Sequence, residues 1–134
     1  MSPAPVMVGL SIADRRTSYE FYCAGLGFTA VGEPADDGVP EPLQLALNDG
    51  LRVMLIPTGG FGWVLGNRAV APNGQHECIL TVNVATPTEV DGLVERARGA
   101  GAEMVTEPTD QPWGYSATFA DPDGHVWQVA EASQ

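Results

Sequence analysis

The chain has 134 residues, 17 acidic side chains against 6 basic ones, and a formal charge of −11. That balance excludes a nucleic-acid binder that works by neutralising phosphates, and it argues against docking on an anionic membrane surface. With 44% apolar and only 17% charged residues, the composition supports one folded domain with a buried core.

In chain order, Val6 to Ile12 is apolar and strand-like. Asp14 can cap a helix over Arg15 to Gly25, with Tyr19, Tyr22 and Leu26 at spacing i, i+3, i+7. Gly25 and Gly27 are stop signals, and Phe28 to Gly32 is a short strand. Glu33 to Pro42 is a polar loop. Leu43 to Asn48 and Arg52 to Pro57 form a hairpin around Asp49-Gly50, a dipeptide suited to a turn with positive φ. Thr58 to Gln75 is a glycine-rich linker loop carrying Phe61, Trp63 and Arg68. Cys78 to Val84 is the next strand. Thr86-Pro87-Thr88-Glu89 has capping-box spacing with proline at the first helical position. Val90, Leu93, Val94 and Ala97 line one face of the helix that follows. Met104 to Glu107, Ser116 to Ala120 and Val126 to Ala130 are the last three strands, the final pair joined through Asp121-Pro122-Asp123-Gly124.

The second half repeats the first. Gly27-Phe28 and Glu33-Pro34 correspond to Gly101-Ala102 and Glu107-Pro108, each 74 positions later, as does Asp49-Gly50 to Asp123-Gly124. Ile12-Ala13 matches Val84-Ala85 at an offset of 72. The order βαβββ therefore occurs twice: module one over residues 5–57, a linker over 58–75 and module two over 76–131. The expected fold class is α+β, two tandem βαβββ modules forming cup-shaped mixed sheets.

The paired modules and the string Trp113-Gly114 … Asp121-Pro122-Asp123-Gly124-His125-Val126-Trp127 resemble the vicinal oxygen chelate superfamily. Its members include glyoxalase I, bleomycin resistance protein and extradiol dioxygenase relatives. The resemblance implies two cups and a homodimer, often with exchanged strands or modules, whose pockets form at the interface. It also implies four metal-ligand positions, on the first and last strands of each module. Carried over residue by residue, these are Met7, Met54, Ile79 and Gln128. Two thioethers, an isoleucine and one neutral amide do not make a site for Mg, Mn, Fe or Zn. Single-residue slips reach Val6, Val8, Val53, Leu55, Leu80 and Cys78, nearly all apolar. His76 and His125 have no partner at ligand spacing.

No metal, no other cofactor and no catalytic residue are therefore expected, and the chain is not expected to be an enzyme. The cup should bind an organic molecule through Met7, Leu47, Met54, Phe61, Trp63, Trp113, Tyr115 and Gln128. Flexible thioethers adapt to irregular ligands, and flat apolar ligands stack on aromatic rings. Trp127 alternates with Gln128 and is assigned to the core. Arg15-Arg16 sits at an unfavourable helix end for positive charge; it is read as solvated, or as paired with the acidic loop. The metal-free branch that the resemblance reaches holds antibiotics without altering them. The expected function is thus sequestration of a DNA-targeting or aromatic peptide-type antibiotic, with no nucleic-acid or membrane partner. The alternative is a metal-free isomerase, cyclase or lyase, or a biosynthetic accessory protein, on the same fold. Met1-Ser2-Pro3-Ala4-Pro5 lacks the basic region of a signal peptide. Two cysteines, Cys23 and Cys78, are too few for a disulfide framework. A cytoplasmic protein is expected.

Overall fold

The computed structural model describes residues 4–66 and 68–132. Met1, Ser2 and Pro3 of the expected leader-free start, Asn67 of the expected linker, and Ser133-Gln134 lie outside the described residues. The chain divides into two units, residues 1–71 and 72–134.

In the first unit, β1 (Val6–Ile12) leads through Asp14 into α1 (Arg15–Tyr19). The Asp14 carboxylate accepts from the backbone N and the hydroxyl of Thr17, both at 2.8 Å, filling the orphan donors of the first turn. These bonds, with the nearby Arg16 and Arg15, hold the Asp14 carboxyl below its ordinary pKa. The expected α-helix changes geometry at Glu20: Glu20–Gly25 is π-helical. Leu26 N donates to Phe21 O and Phe28 N to Tyr22 O. The wider turn buries the adjacent residues Phe21 and Tyr22 together with Leu26, while Tyr19 stays half-buried. The Phe21 and Tyr22 rings meet edge to face at 5.0 Å, a favoured aromatic geometry.

Strands β2 (Thr29–Ala30), β3 (Leu43–Asn48) and β4 (Leu51–Pro57) complete a sheet in the order β1-β4-β3-β2, with β1 and β4 parallel. Leu10, Ile12, Leu43, Leu45, Val53 and Leu55 are buried, every second residue of their strands, as a sheet with one covered face requires. The β3–β4 turn departs from expectation. Gly50 is not among the positive-φ glycines; instead the Asn48 side chain accepts from Gly50 N at 2.9 Å. That local bond replaces the left-handed backbone a tight two-residue turn demands.

The arginine pair bonds to the acidic loop, with Arg15 half-buried and Arg16 exposed. Arg15 donates to the carbonyls of Pro40 (3.2 Å) and Val39 (2.7 Å) and to Asp37 (3.1 Å), and Arg16 donates to the Asp37 carbonyl. Helix start and acidic loop thus pair within one chain.

The first stretch of the expected linker is helical: α2 is Thr58–Val64. Three glycines make it intrinsically weak, yet they let it lie close on the sheet. A Cβ at Gly60 would meet Ile56 at 3.4 Å. Thr58 fastens its start, with its hydroxyl 3.1 Å from both the Ile12 carbonyl and the Ser11 hydroxyl.

The second unit repeats the plan with β5 (Leu80–Val84), α3 (Pro87–Gly99), β6 (Glu103–Gln111), β7 (Gly114–Ala120) and β8 (Val126–Glu131). Its sheet order is β5-β8-β7-β6, again with the outer pair β5 and β8 parallel. The expected capping box is formed by Thr86 and Glu89. Gly27 and Gly101 carry φ of 82° and 95°, closing the two helical segments at equivalent positions. Val90 and Val94 pack on Ala117 and Val129, and Trp127 is 1% exposed. Strand β6 runs four residues beyond its expected end at Glu107, carried by pairing with β7, which begins two residues before its expected start at Ser116.

The Asp121-Pro122-Asp123-Gly124 turn is tied by internal hydrogen bonds. The buried Asp121 carboxylate accepts from Asp123 N at 2.9 Å and His125 N at 2.8 Å. Gly124, at φ 84°, supplies the left-handed residue.

Candidate ligand-binding faces

Each sheet has one face on its helix and another turned away, the cup face. In unit one the alternation that buries Val53 and Leu55 puts Arg52, Met54 and Ile56 on the cup face. Met7, Gly9 and Ser11 of β1 join them, with Met7 opposite Arg52 and Gly9 opposite Met54. Gln44 lies opposite Met54 on β3. Phe61 of α2 covers part of this face: a Cβ at Gly9 would stand 3.7 Å from its ring and 3.4 Å from Ile56. Met7, Met54 and Phe61 are therefore brought together, and Met7 is 49% exposed. Trp63, on the same helix, is 80% exposed. Leu47 falls at a bulge where Ala46 pairs with Arg52 and Asn48 with Leu51. An extra residue interrupts the two-residue period there, so alternation assigns Leu47 to neither face.

Unit two loads the equivalent face differently. Gln128 stands opposite Thr81 on β5 and Thr118 on β7. Its amide donates to the Thr81 hydroxyl at 3.1 Å, and its carbonyl accepts from the Trp113 indole N–H at 3.1 Å. The same indole lies 3.2 Å from the Ser116 hydroxyl. Trp113 and Gln128 thus form one network, with the indole body 55% exposed. The Thr118 hydroxyl is buried and makes no hydrogen bond among the described residues, a cost of about 1–3 kcal/mol for such a group. Sequence reasoning missed Thr81, Ser116, Thr118 and Arg52. Counting two residues from Met54 finds Arg52; the others need strand register.

Tyr115 separates from the expected set. It packs against the helix-side cluster of Val90, Val94, Ala117 and Val129, and its hydroxyl donates to Asp91 of α3 at 2.6 Å. That bond, burial and the Asp91 charge push the phenol pKa up. The parity of β7 sends Tyr115 to the helix, whereas Trp113 reaches the cup face from the turn before the strand.

The four positions to which the resemblance assigns metal ligands do not fit a divalent ion. Met7 and Met54 offer thioethers, Ile79 offers no donor and is 51% exposed, and both ends of the Gln128 amide are engaged. Among the described residues no three His, Cys, Asp or Glu side chains gather closely enough to hold a metal.

A twice-repeated βαβββ unit with a parallel outer strand pair and these paired cup faces defines a glyoxalase-type fold. The family model of the Glyoxalase/Bleomycin resistance protein/Dioxygenase superfamily matches residues 5–129, and the chain belongs to that superfamily. The uncharacterized protein Mb0911c of Mycobacterium bovis is 31% identical over 91% of this chain and 79% of its own length. A glyoxalase-related enzyme from Fulvimarina pelagi is similar in structure at a TM-score of 0.82 and 27% identity, covering 98% of this chain and 89% of that one. TnmS3, an antibiotic binding protein from Streptomyces sp. CB03234, shares the fold at a TM-score of 0.67 and 23% identity, covering 99% and 98%.

Proposed function

We propose that the protein is a metal-independent binder of a small organic molecule, and that it confers resistance by sequestering an antibiotic of the DNA-targeting or aromatic peptide type. The observation that carries this reading is the donor chemistry at the four ligand positions: Met7, Met54, Ile79 and a Gln128 whose amide is already hydrogen-bonded. Met7, Met54, Ile56 and Phe61 on the first face suit an apolar ligand body, and the second offers Trp113 as a stacking surface. The fold shared with an antibiotic binding protein agrees with this use.

The working form is a homodimer in the cytoplasm, with pockets completed by the partner chain. The exposed strand residues Val6, at 58%, and Met7 support a covered β1 in that assembly. Light scattering at micromolar concentration should give twice the monomer mass.

Equilibrium dialysis and tryptophan quenching against bleomycin, mitomycin and depsipeptide intercalators test the reading. Saturable binding with the drug recovered unchanged is expected. Chemical conversion of the drug, or stoichiometric metal in elemental analysis of the purified protein, would overturn it. The likeness to a glyoxalase-related enzyme favours a metal-free enzyme as the second reading, which drug conversion would support.

A further inference from the structure

We propose that the ligand of the first cup face is an organic anion, its acidic group held by Arg52 and its apolar body by Met7 and Met54. This rests on the binding reading above and narrows it to one charge class.

Arg52 is half-buried on the same face as Met54, between the helix-facing residues Leu51 and Val53. Met7 on β1 and Ala46 on β3 are its neighbours in register, so its surroundings in the sheet are apolar. Its side chain makes one bond among the described residues, a 3.4 Å contact with the neutral Gln44 carbonyl oxygen. It has no ion pair there. By contrast, Arg15 pairs with Asp37 and Glu41, and Arg98 with Glu95 and Glu107. In a chain of 17 acidic residues, an arginine on a sheet face that ion-pairs with none of them among the described residues has most of its five donors uncommitted. The guanidinium fork matches a carboxylate or sulfonate in two parallel bonds. Thioether and methyl surface beside it selects a molecule with an apolar body. The −11 field opposes anions at long range, but salt screens it beyond about 8 Å. Contact with Arg52 therefore decides the preference.

A matched probe pair tests the proposal: 1-anilinonaphthalene-8-sulfonate and N-phenyl-1-naphthylamine, which differ by the sulfonate. Fluorescence titration of the full chain should show at least a tenfold preference for the anion, about 1.4 kcal/mol. Arg52→Gln should abolish that preference while the neutral probe still binds. Arg52→Lys should keep part of it, because charge remains and the fork is lost. Arg68→Gln, which removes an exposed arginine whose side chain bonds, among the described residues, to the Leu65 carbonyl, should leave it unchanged. Equal binding of the two probes by the natural chain overturns the anion proposal and leaves the binding reading standing. A preference that survives Arg52→Gln also overturns it. Failure of both probes to bind overturns both.

Discussion

The two cup faces occupy the same address in the two modules and carry opposite chemistry. Met54 and Gln128 are equivalent positions on equivalent strands, 74 residues apart. Around Met54 lie Met7, Gly9, Ile56, Gln44 and an arginine with no ion pair among the described residues. Around Gln128 lie Thr81, Thr118, Ser116 and an indole N–H, joined in a neutral network. The difference teaches that the duplicated backbone is held by helix-side packing and turn bonds, which both modules keep. The cup side is free to diverge because little of the fold depends on it.

The sharpest way to break that comparison is at the turns, where the modules differ in burial. Asp121→Ala strips two backbone donors of a buried acceptor and should cost about 3 kcal/mol. Asn48→Ala, its exposed counterpart in module one, should cost about 0.5–1 kcal/mol. Urea denaturation of both variants measures the gap; equal losses would mean the two turns are interchangeable. A smaller effect of opposite sign is expected on the second cup face. Thr118→Val removes the orphan hydroxyl at nearly constant shape and should stabilise the ligand-free protein by about 1 kcal/mol, read as a raised Tm.

The cysteines give a chemical contrast. Burial raises the pKa of Cys23, whereas Cys78 is exposed. Iodoacetamide near neutral pH should label Cys78 first, and peptide mass spectrometry will show the order. The smallest effect is on the acid side. Backbone and side-chain bonds lower the Asp37 pKa, as the hydrogen bonds and charge of Arg98 lower that of Glu107. Carboxyls with depressed folded pKa values stabilise fully above the ordinary carboxylate range and lose that contribution as pH falls through the lowered values. Asp37→Asn and Glu107→Gln should each make the acid-side fall in Tm slightly shallower, seen in melts from pH 7 to pH 3.

Much of the fold was legible because short-range signals agree with the repeat. Capping at Asp14 and Thr86 and closure at Gly27 and Gly101 all follow from local chemistry. So does the core position of Trp127, which strand alternation fixes. The helix α2 was not legible: Gly59, Gly60 and Gly62 argue against a helix, and only close packing on β1 and β4 makes one. The π-helical turn is equally hidden, since inserting a residue into a helix leaves no compositional mark. Of the expected ligand set, Met7, Met54 and Gln128 could be placed by counting. Tyr115 could not, because β7 was expected to begin at Ser116, which left Tyr115 in a loop outside the alternation of the strand. The Arg15 bonds join residues more than twenty apart, beyond any local pattern.

Gly9 has a consequence for how such a face changes over time. It sits beside Met54 in register, is not among the positive-φ glycines, and an added Cβ would make only ordinary contacts with Ile56 and Phe61. A single codon step to alanine would therefore raise the floor under a bound molecule by one methyl without straining the backbone. Selection for a slimmer ligand has a one-mutation path that leaves the helix-side core and both turns untouched.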